Sequence, residues 1–203
     1  DRGSRSEEAQ NLGSHIGKIV RLGRNGSVPA DNPFVQQSNA RGEIWSYGHR
    51  NIQGMALDAQ GRLWASEHGA QGGDEINLIA AGNNYGWPII AYGKDYGGGK
   101  IGAGITAQAG MQQPLYYWDP SMAPSGMAFV GSNPYGNDWH GVLLAGSLKF
   151  GYVARLTLDG DKIVHEEKIN VGERVRDVRQ APDGFIYIVT DSSNGKLMKL
   201  LPR

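Results

Sequence analysis

The sequence contains no cysteine. This absence excludes disulfide bonds, thiolate metal sites and a cysteine nucleophile. An excess of one sign of charge is also lacking, because 20 basic residues balance 20 acidic ones. Balanced charge argues against a general nucleic-acid binder and against a polybasic membrane anchor. No apolar run approaches the roughly 20 residues of a membrane-spanning helix.

Long helical periodicities are missing too, and the best helical candidates, residues 6–13 and 74–80, are short. Glycine is instead abundant, with 31 of 203 residues against an average near 7%. Many glycines without low-complexity runs indicate many tight turns. The composition therefore predicts an all-β protein built from short strands.

Strand-like segments recur between turn signals along the chain. We expect strands at residues 18–22, 54–57, 62–66, 127–130, 141–145, 152–158, 175–179, 185–190 and 196–200. Residues 55–65 have the pattern of a strand, a tight turn and a second strand.

A weak internal repeat links these segments. Residues 55–64 resemble residues 175–187, and Gly17, Gly151 and Gly195 each precede a similar basic and apolar segment. The spacings fit a period of roughly 40–45 residues with four short strands per unit, which is typical of a β-propeller. About four to five blades would fit this chain, and an irregular β-sandwich is the alternative.

Polar clusters lie at residues 47–54 and 66–77, on either side of the predicted hairpin, where binding residues are often found. Arg174 and Arg176 flank Val175, so on a strand they would share one face and could bind a carboxylate or phosphate. An ion pair with Glu173 or Asp177 is the alternative explanation.

Oxygen-bearing residues are concentrated between Asp74 and Asp95, in a stretch that includes Glu75 and Tyr85. Calcium binds six to eight oxygens from carboxylates and backbone carbonyls, which glycine-rich loops expose. The spacing does not match an EF-hand, and a helix cap at Asp74 is the alternative.

Together these motifs resemble a known family. The matching stretches are residues 17–22, 31–33, 48–51, 74–77, 84–88, 123–125, 147–149 and 174–177. They resemble the soluble, pyrroloquinoline-quinone-dependent sugar dehydrogenases of the glucose/sorbosone dehydrogenase family, above all the bacterial aldose sugar dehydrogenases. The resemblance covers nearly the whole chain.

The resemblance implies a six-bladed β-propeller, with residues 1–203 forming roughly four blades of a single propeller domain. The remaining N-terminal part of the same protein would supply the other blades. A periplasmic or secreted bacterial location is implied as well.

The family pattern also implies a site for pyrroloquinoline quinone (PQQ). Lys149, Arg174 and Arg176 would face the carboxylates of the cofactor. Arg50 and Asn51 would lie near its reactive carbonyls. Ser121 and His68 would contribute further contacts to the cofactor.

Two calcium ions are implied by the same resemblance. One would bridge the quinone and the backbone carbonyls of Gly69 and Ala70. A second, structural ion would use Glu75, Tyr85 and the loop 91–95. Its loop ligands would be Ala91, Gly93 and Asp95.

The implied reaction is oxidation of the anomeric hydroxyl of an aldose to a lactone, with electrons passing to an external acceptor. Arg50 would act in catalysis, and Asp1 would orient a base histidine that precedes this stretch. Two alternatives are a non-catalytic, calcium-stabilised propeller that binds a protein or glycan partner, and a calcium-dependent lactonase.

Overall fold

The structure is a computed structural model that describes residues 4–131 and 134–202. Their regular structure is almost entirely β-strand, with short 3-10 helices at Ser6–Ala9 and Asn137–Trp139. The strands are β1 (Lys18–Val20), β2 (Ile44–Tyr47), β3 (Ile52–Leu57), β4 (Leu63–Glu67), β5 (Asp74–Ile79), β6 (Tyr116–Trp118), β7 (Pro124–Phe129), β8 (Leu143–Ser147), β9 (Tyr152–Asp159), β10 (Lys162–Asn170), β11 (Val175–Gln180), β12 (Ile186–Thr190) and β13 (Leu197–Lys199). The prediction of an all-β chain is confirmed.

The described strands form four antiparallel sheets that follow one another along the chain. Strands β3 to β6 form one four-stranded sheet, and β7 to β10 form another, each in sequential order. Strands β11 to β13 form a three-stranded sheet, and β1 pairs with β2. Most neighbouring strands in these sheets are joined by short connections, as antiparallel order permits, whereas the long segment 80–115 links β5 to β6.

The two sequence repeats occupy equivalent places in different sheets. Gly61 lies in the turn between β3 and β4, and Gly184 lies in the turn between β11 and β12. Both glycines have φ near +80° (76° and 82°), a conformation that other residues seldom adopt. The glycine-led segments of the second repeat contain β1, β9 and β13.

Apolar side chains fill the space between successive sheets. Trp64 on β4 packs edge-to-face on Phe129 of β7, with ring centroids 5.6 Å apart. A second core layer joins β8 and β9 to β11 and β12 through Leu144, Val153 and Val178. The sheets are therefore stacked face to face in chain order.

Three successive sheets approach closely at β4, β7 and β11, which are joined by serine hydroxyls. Ser66 Oγ donates to the carbonyl of Ser125 at 3.1 Å, and Ser125 Oγ donates to the carbonyl of Val175 at 2.7 Å. A Cβ atom at Gly54 would come within 2.5 Å of the Ser125 carbonyl oxygen. Glycine is needed there because the two backbones leave no room for a side chain.

Two helical expectations are wrong. Residues Asp74–Ile79 form strand β5, in which Ile76, Asn77 and Ile79 are buried, so Asp74 does not cap a helix. Residues 6–13 contain only the single 3-10 turn Ser6–Ala9. Within the described ranges, no helix is long and apolar enough to cross a membrane.

Candidate functional site

Arg50 lies in the short loop between β2 and β3, and it is buried, with 6% of its surface exposed. Its backbone N–H donates to Glu67 Oε2 at 2.8 Å. Its guanidinium Nη1 donates to the backbone carbonyls of His68, at 3.1 Å, and of Gly69. The guanidinium also lies over the Trp87 ring, 5.1 Å from the centroid. The end of β4 thus holds both the main chain and the side chain of Arg50.

Glu67 is a buried carboxylate that several donors surround. Its Oε1 accepts from His49 Nδ1 and from Asn77 Nδ2, each at 3.0 Å. Burial alone would raise the pKa of Glu67, but the charge and hydrogen bond of His49 and the backbone N–H groups of Arg50 and Asn51 outweigh it. The pKa of Glu67 therefore lies below its ordinary value, and the group is ionised.

His68 and Asn51 form a hydrogen-bonded chain whose direction is fixed by a carbonyl. His68 Nε2 lies 2.7 Å from the carbonyl oxygen of Pro124, which can only accept, so Nε2 carries a proton. In the neutral ring Nδ1 then accepts from Asn51 Nδ2 at 3.4 Å. Asn51 Oδ1 consequently faces Gln53 Nε2 at 3.1 Å. These two predicted cofactor residues lie side by side.

A small enclosed cavity of about 20 Å³ lies beside this cluster. That volume is enough for one water molecule or one ion. Six of the seven predicted metal ligands line it, namely Gly69, Ala70, Glu75, Tyr85, Ala91 and Gly93. The structure thus brings into one cavity the two ligand sets that the sequence analysis assigns to separate calcium ions.

Asp95 is the exception among the predicted metal ligands. It is exposed, and its Oδ1 accepts from the backbone N–H of Tyr96 at 2.7 Å. It lines a neighbouring open concavity with Arg50, Ala70 and Lys100. Asp95 therefore lies beside the enclosed cavity and does not line it.

Tyr85 can serve the cavity only through its backbone. Its hydroxyl donates to the Leu78 carbonyl at 2.7 Å and accepts from the Ala80 N–H at 2.9 Å. Its ring stacks on His49, with centroids 4.6 Å apart. The backbone carbonyl of Tyr85 is consequently the group that could bind a cation.

Two carboxylates, Glu67 and Glu75, line the cavity. Both oxygens of Glu67 already accept the hydrogen bonds described above, which leaves Glu75 as the carboxylate available to a cation. Burial, reinforced by the negative charges of Glu67 and Asp74, raises the pKa of Glu75 to about 8. Asn77 Nδ2 donates to it at 3.1 Å. Across residues 4–131 and 134–202, no three His, Asp or Glu side chains gather as a metal cluster. A cation here would therefore combine one carboxylate with backbone oxygens, as calcium commonly does.

Ser121 and Lys149 line a larger open concavity of about 510 Å³ together with Ala70 and Tyr96. Ser121 Oγ donates to Asp74 Oδ2 at 2.7 Å. Lys149 is exposed, and its Nζ lies 4.9 Å from the centroid of the Phe150 ring. Ala70 also lines the enclosed cavity and the concavity that contains Arg50, so these three spaces adjoin at one residue.

Arg174 and Arg176 share a face, as predicted from their spacing, and both bind one oxygen of Asp191. Arg174 Nη2 lies 2.8 Å and Arg176 Nη2 lies 3.0 Å from Asp191 Oδ2. The Arg174 hydrogen bond is the largest cause that holds the pKa of Asp191 below its ordinary value. Arg174 Nη1 also donates to the Leu148 carbonyl at 3.1 Å, next to Lys149.

The alternative ion pairs proposed for these arginines involve other cations. Glu173 pairs with Lys196, and Asp177 pairs with Arg179 at 3.1 Å. The sequence did not identify Asp191, because it lies on the far side of the β11–β12 hairpin. The remaining predicted residue, Asp1, falls outside the described part of the chain.

The structure adds three functional candidates to which the sequence analysis assigns no role, namely Glu67, His49 and Asn77. All three lie within the polar motifs at residues 47–54 and 66–77, so the sequence indicates the region of the site but not these residues individually. Their mutual contacts depend on the register of β4 against β5, which pairs Glu67 with Glu75 and Ala65 with Asn77.

Comparison with known families identifies the class of protein. The sequence profile of the family "Glucose / Sorbosone dehydrogenase" matches residues 1–199. The chain belongs to this family, which confirms the resemblance drawn from its motifs.

Individual relatives agree with this assignment. The chain is 47% identical over 199 residues to the aldose sugar dehydrogenase YliI of Escherichia coli, covering 96% of the chain and 53% of the relative. The structure of the soluble aldose sugar dehydrogenase from Escherichia coli in its apo-form superimposes with a TM-score of 0.94 at 44% identity, covering 100% of this chain and 59% of that one.

A third comparison concerns a structure with bound cofactor. The PQQ-bound form of an aldose sugar dehydrogenase from Streptomyces coelicolor superimposes with a TM-score of 0.74 at 29% identity, covering 98% of this chain and 55% of that one. The chain thus spans a little more than half the length of these relatives. Relatives named aldose or glucose dehydrogenases support sugar oxidation as the chemistry of the family.

Proposed function

We propose that this chain contributes the cofactor and calcium sites of a PQQ-dependent dehydrogenase that oxidises the anomeric hydroxyl of aldose sugars to lactones. The observation that carries the proposal is the meeting of three spaces at Ala70. Glu75 lines the small cavity, Lys149 lines one open concavity, and Arg50 lines both the small cavity and the other concavity. The electrons would leave to an external acceptor. The four sheets would form about four blades of a six-bladed propeller in the periplasm or outside the cell.

The donor set at the enclosed cavity fits calcium. The pKa of Glu75 is raised to about 8, mainly by burial. A cation bound beside Glu75 would favour the ionised carboxylate and would lower this pKa. Glu75 and the backbone carbonyls of Tyr85, Ala91 and Gly93 would hold a structural ion, with Asp95 close by. A second ion, which contacts the cofactor, would lie outside the small cavity, where Ala70 lines the open concavities, and would bind the carbonyls of Gly69 and Ala70.

The charge of the open concavities fits a flat, anionic cofactor. Arg50 and Lys149 line adjacent concavities that share Ala70 and Tyr96. Arg174 contacts the carbonyl of Leu148, next to Lys149. Positive charge at several points would fix both the affinity and the orientation of a molecule that carries carboxylates.

When bound, PQQ supplies a two-electron acceptor for hydride from the sugar, and calcium supplies a Lewis acid. Arg50 would hold a fixed positive charge beside the reacting centre, where the surrounding burial strengthens its field. Asn51 and His68 would present polar groups whose direction the Pro124 carbonyl sets. Ser121 would contribute one further polar contact, and Asp1 would orient the base.

The decisive experiment is reconstitution of the purified full-length protein with PQQ, calcium and an aldose, followed by reduction of a dye acceptor. We expect dye reduction, and we expect Arg50→Gln to lower the rate by about 100-fold or more. Arg24→Gln is the matched control, because Arg24 is exposed in the loop after β1. Its rate should equal that of the wild type.

Absence of dye reduction with several aldoses would overturn the proposal. Calorimetry separates the alternatives, because a non-catalytic propeller would bind calcium but not the quinone. A lactonase would hydrolyse a lactone substrate without any acceptor dye.

A further inference from the structure

Glu67 lines the small cavity, and both of its oxygens accept hydrogen bonds from neighbouring residues. It does not line the two open concavities that the proposed function assigns to the cofactor. Its side chain is buried, with 4% of the residue exposed, and it extends from the last position of β4 toward the β2–β3 loop. Its Oε2 accepts the backbone N–H of Arg50 at 2.8 Å, and the backbone N–H of Asn51 also faces the carboxylate. One carboxylate therefore anchors both residues that are expected nearest the reacting centre.

The rest of the β4 terminus completes this anchor. The guanidinium of Arg50 binds the carbonyls of His68 and Gly69, which directly follow Glu67 in the chain. Arg50 is thus held at its backbone by the side chain of Glu67, and at its side chain by the backbone of the next two residues. A shift of the loop relative to β4 would break both contacts.

The other oxygen of Glu67 fixes the orientation of the carboxylate itself. His49 Nδ1 and Asn77 Nδ2 approach Oε1 at 3.0 Å. The far nitrogen of the same imidazole, Nε2, lies 2.8 Å from Ser46 Oγ. With donors on both oxygens, the plane of the carboxylate cannot rotate without losing a buried hydrogen bond.

We propose that Glu67 is a positioning residue that fixes the Arg50–Asn51 segment, and that it thereby sets the affinity of the site for its anionic cofactor. This inference rests on the proposed function for its effect on cofactor binding. The anchoring of the segment itself does not depend on that function. Glu67 acts through the backbone of its neighbours and does not touch the cofactor.

The first test needs no cofactor. Amide hydrogen exchange of the full-length protein should show protected amides at Arg50 and Asn51. In Glu67→Gln these two backbone amides should exchange at least about 10-fold faster. The glutamine side chain is a poorer acceptor than a carboxylate, and its NH2 group would face the N–H donors that now bind Glu67. Amides of β9 serve as the internal reference and should not change. Unchanged protection at Arg50 and Asn51 would overturn the inference.

A double-mutant cycle on the dissociation constant of PQQ provides the second test. Glu67→Gln should raise this constant about 10–100-fold in the wild-type background. In an Arg50→Gln background the same change should have less than about a 3-fold effect, because the group through which Glu67 acts is gone. Equal effects in both backgrounds would show a general structural role and would contradict the proposal.

Two further variants test whether the effects of Glu67→Gln arise from misfolding. Glu67→Asp keeps the charge but withdraws the carboxylate by one methylene, so it should also accelerate exchange at Arg50. Glu166→Gln is the matched control, since Glu166 accepts from Tyr116 Oη at 2.8 Å and Trp118 Nε1 at 3.0 Å on another part of the fold. It should leave the dissociation constant unchanged. A wild-type protein that binds no PQQ would overturn the proposed function, whereas the exchange data would still decide the role of Glu67.

Discussion

Glu67 and Glu75 lie directly opposite each other on β4 and β5, and the side-chain amide of Asn77 donates to both carboxylates. Two ionised carboxylates on directly paired residues repel each other, and burial strengthens this repulsion. The pKa of Glu67 lies below its ordinary value and that of Glu75 is raised to about 8, so the pair divides into one ionised and one protonated group near neutral pH. A cation at the adjoining cavity would relieve this repulsion.

The calcium-free protein should lose stability as the pH rises from about 5 to 8. Glu75 keeps its proton in the folded state up to about 8, whereas the unfolded group loses it near 4.5. The folded state therefore binds more protons in this window, and the free energy of unfolding falls with increasing pH, by an amount on the order of a few kcal/mol. Urea unfolding at several pH values in the presence of a chelator measures this dependence.

Glu75→Gln is the matched control for this pH dependence. It should flatten the decline, and saturating calcium should reverse the decline in the wild type because the metal binds the ionised carboxylate. A decline that is identical in Glu75→Gln would show that another group is responsible.

Arg176→Gln should weaken PQQ binding by about 10-fold without changing stability by more than about 0.5 kcal/mol. The side chain is exposed and shares Asp191 with Arg174, so the fold loses little when it is removed. Isothermal titration with PQQ and thermal unfolding measure the two quantities. Lys196→Gln removes a cation of similar exposure that pairs with Glu173, and its affinity for PQQ should equal that of the wild type. Equal affinity in Arg176→Gln would remove this arginine from the site.

Lys18→Met should destabilise the fold by about 1–3 kcal/mol. Lys18 Nζ donates to the carbonyls of Glu8, Ala9 and Ile16 at 2.8, 2.9 and 2.7 Å, and all three would lose this charged donor. The Glu8 and Ala9 carbonyls would keep the backbone N–H donors of Asn11 and Gly48. Denaturant unfolding gives the free-energy change. Lys162→Met, at an exposed position of β10, is the control and should fall within about 0.5 kcal/mol of the wild type. A similarly small change at Lys18 would mean that water replaces the ammonium group without cost.

Gly48→Ala should cost more stability than Gly61→Ala, although the two glycines have nearly the same φ, +75° and +76°. A Cβ at Gly61 meets nothing within 4 Å, so only the backbone term of about 1–2 kcal/mol applies. A Cβ at Gly48 would lie 2.2 Å from Asn84 Oδ1, and this overlap adds about 1–3 kcal/mol. Chemical denaturation of both variants measures the difference. Equal losses would show that the loop at Gly48 relaxes to accept a methyl group.

The strands that the sequence predicts correctly are those with alternating apolar residues beside a turn glycine, such as β3, β4 and β12. Strand β5 was mistaken for a helix because its apolar residues, Ile76, Leu78 and Ile79, also suit a short helical turn. Strand β10 gives little signal, since most of its residues are exposed. Its place in the sheet is fixed by hairpin pairing with β9 across the turn at residues 160–161.

The residues of the site likewise fall into those that the sequence identifies and those that only the structure reveals. Arg50, Asn51 and His68 could be selected from the sequence because they lie in glycine-bounded polar motifs. The anchoring role of Glu67 could not, because it depends on which face of β4 points toward the β2–β3 loop. Asp191 likewise reaches Arg174 only after β11 and β12 pair.

The sequence by itself determined the all-β class, most of the strands that lie beside turn glycines, the repeat that relates the sheets, and the set of polar residues available for chemistry. These follow from local turn chemistry and from the two-residue period of strands, which neighbouring residues alone establish. Only the tertiary structure decided that Glu67 holds the backbone of Arg50 and that Glu75 shares a cavity with Gly69 and Ala70. Such contacts depend on strand register and on the packing of successive sheets, which bring together residues far apart in the chain.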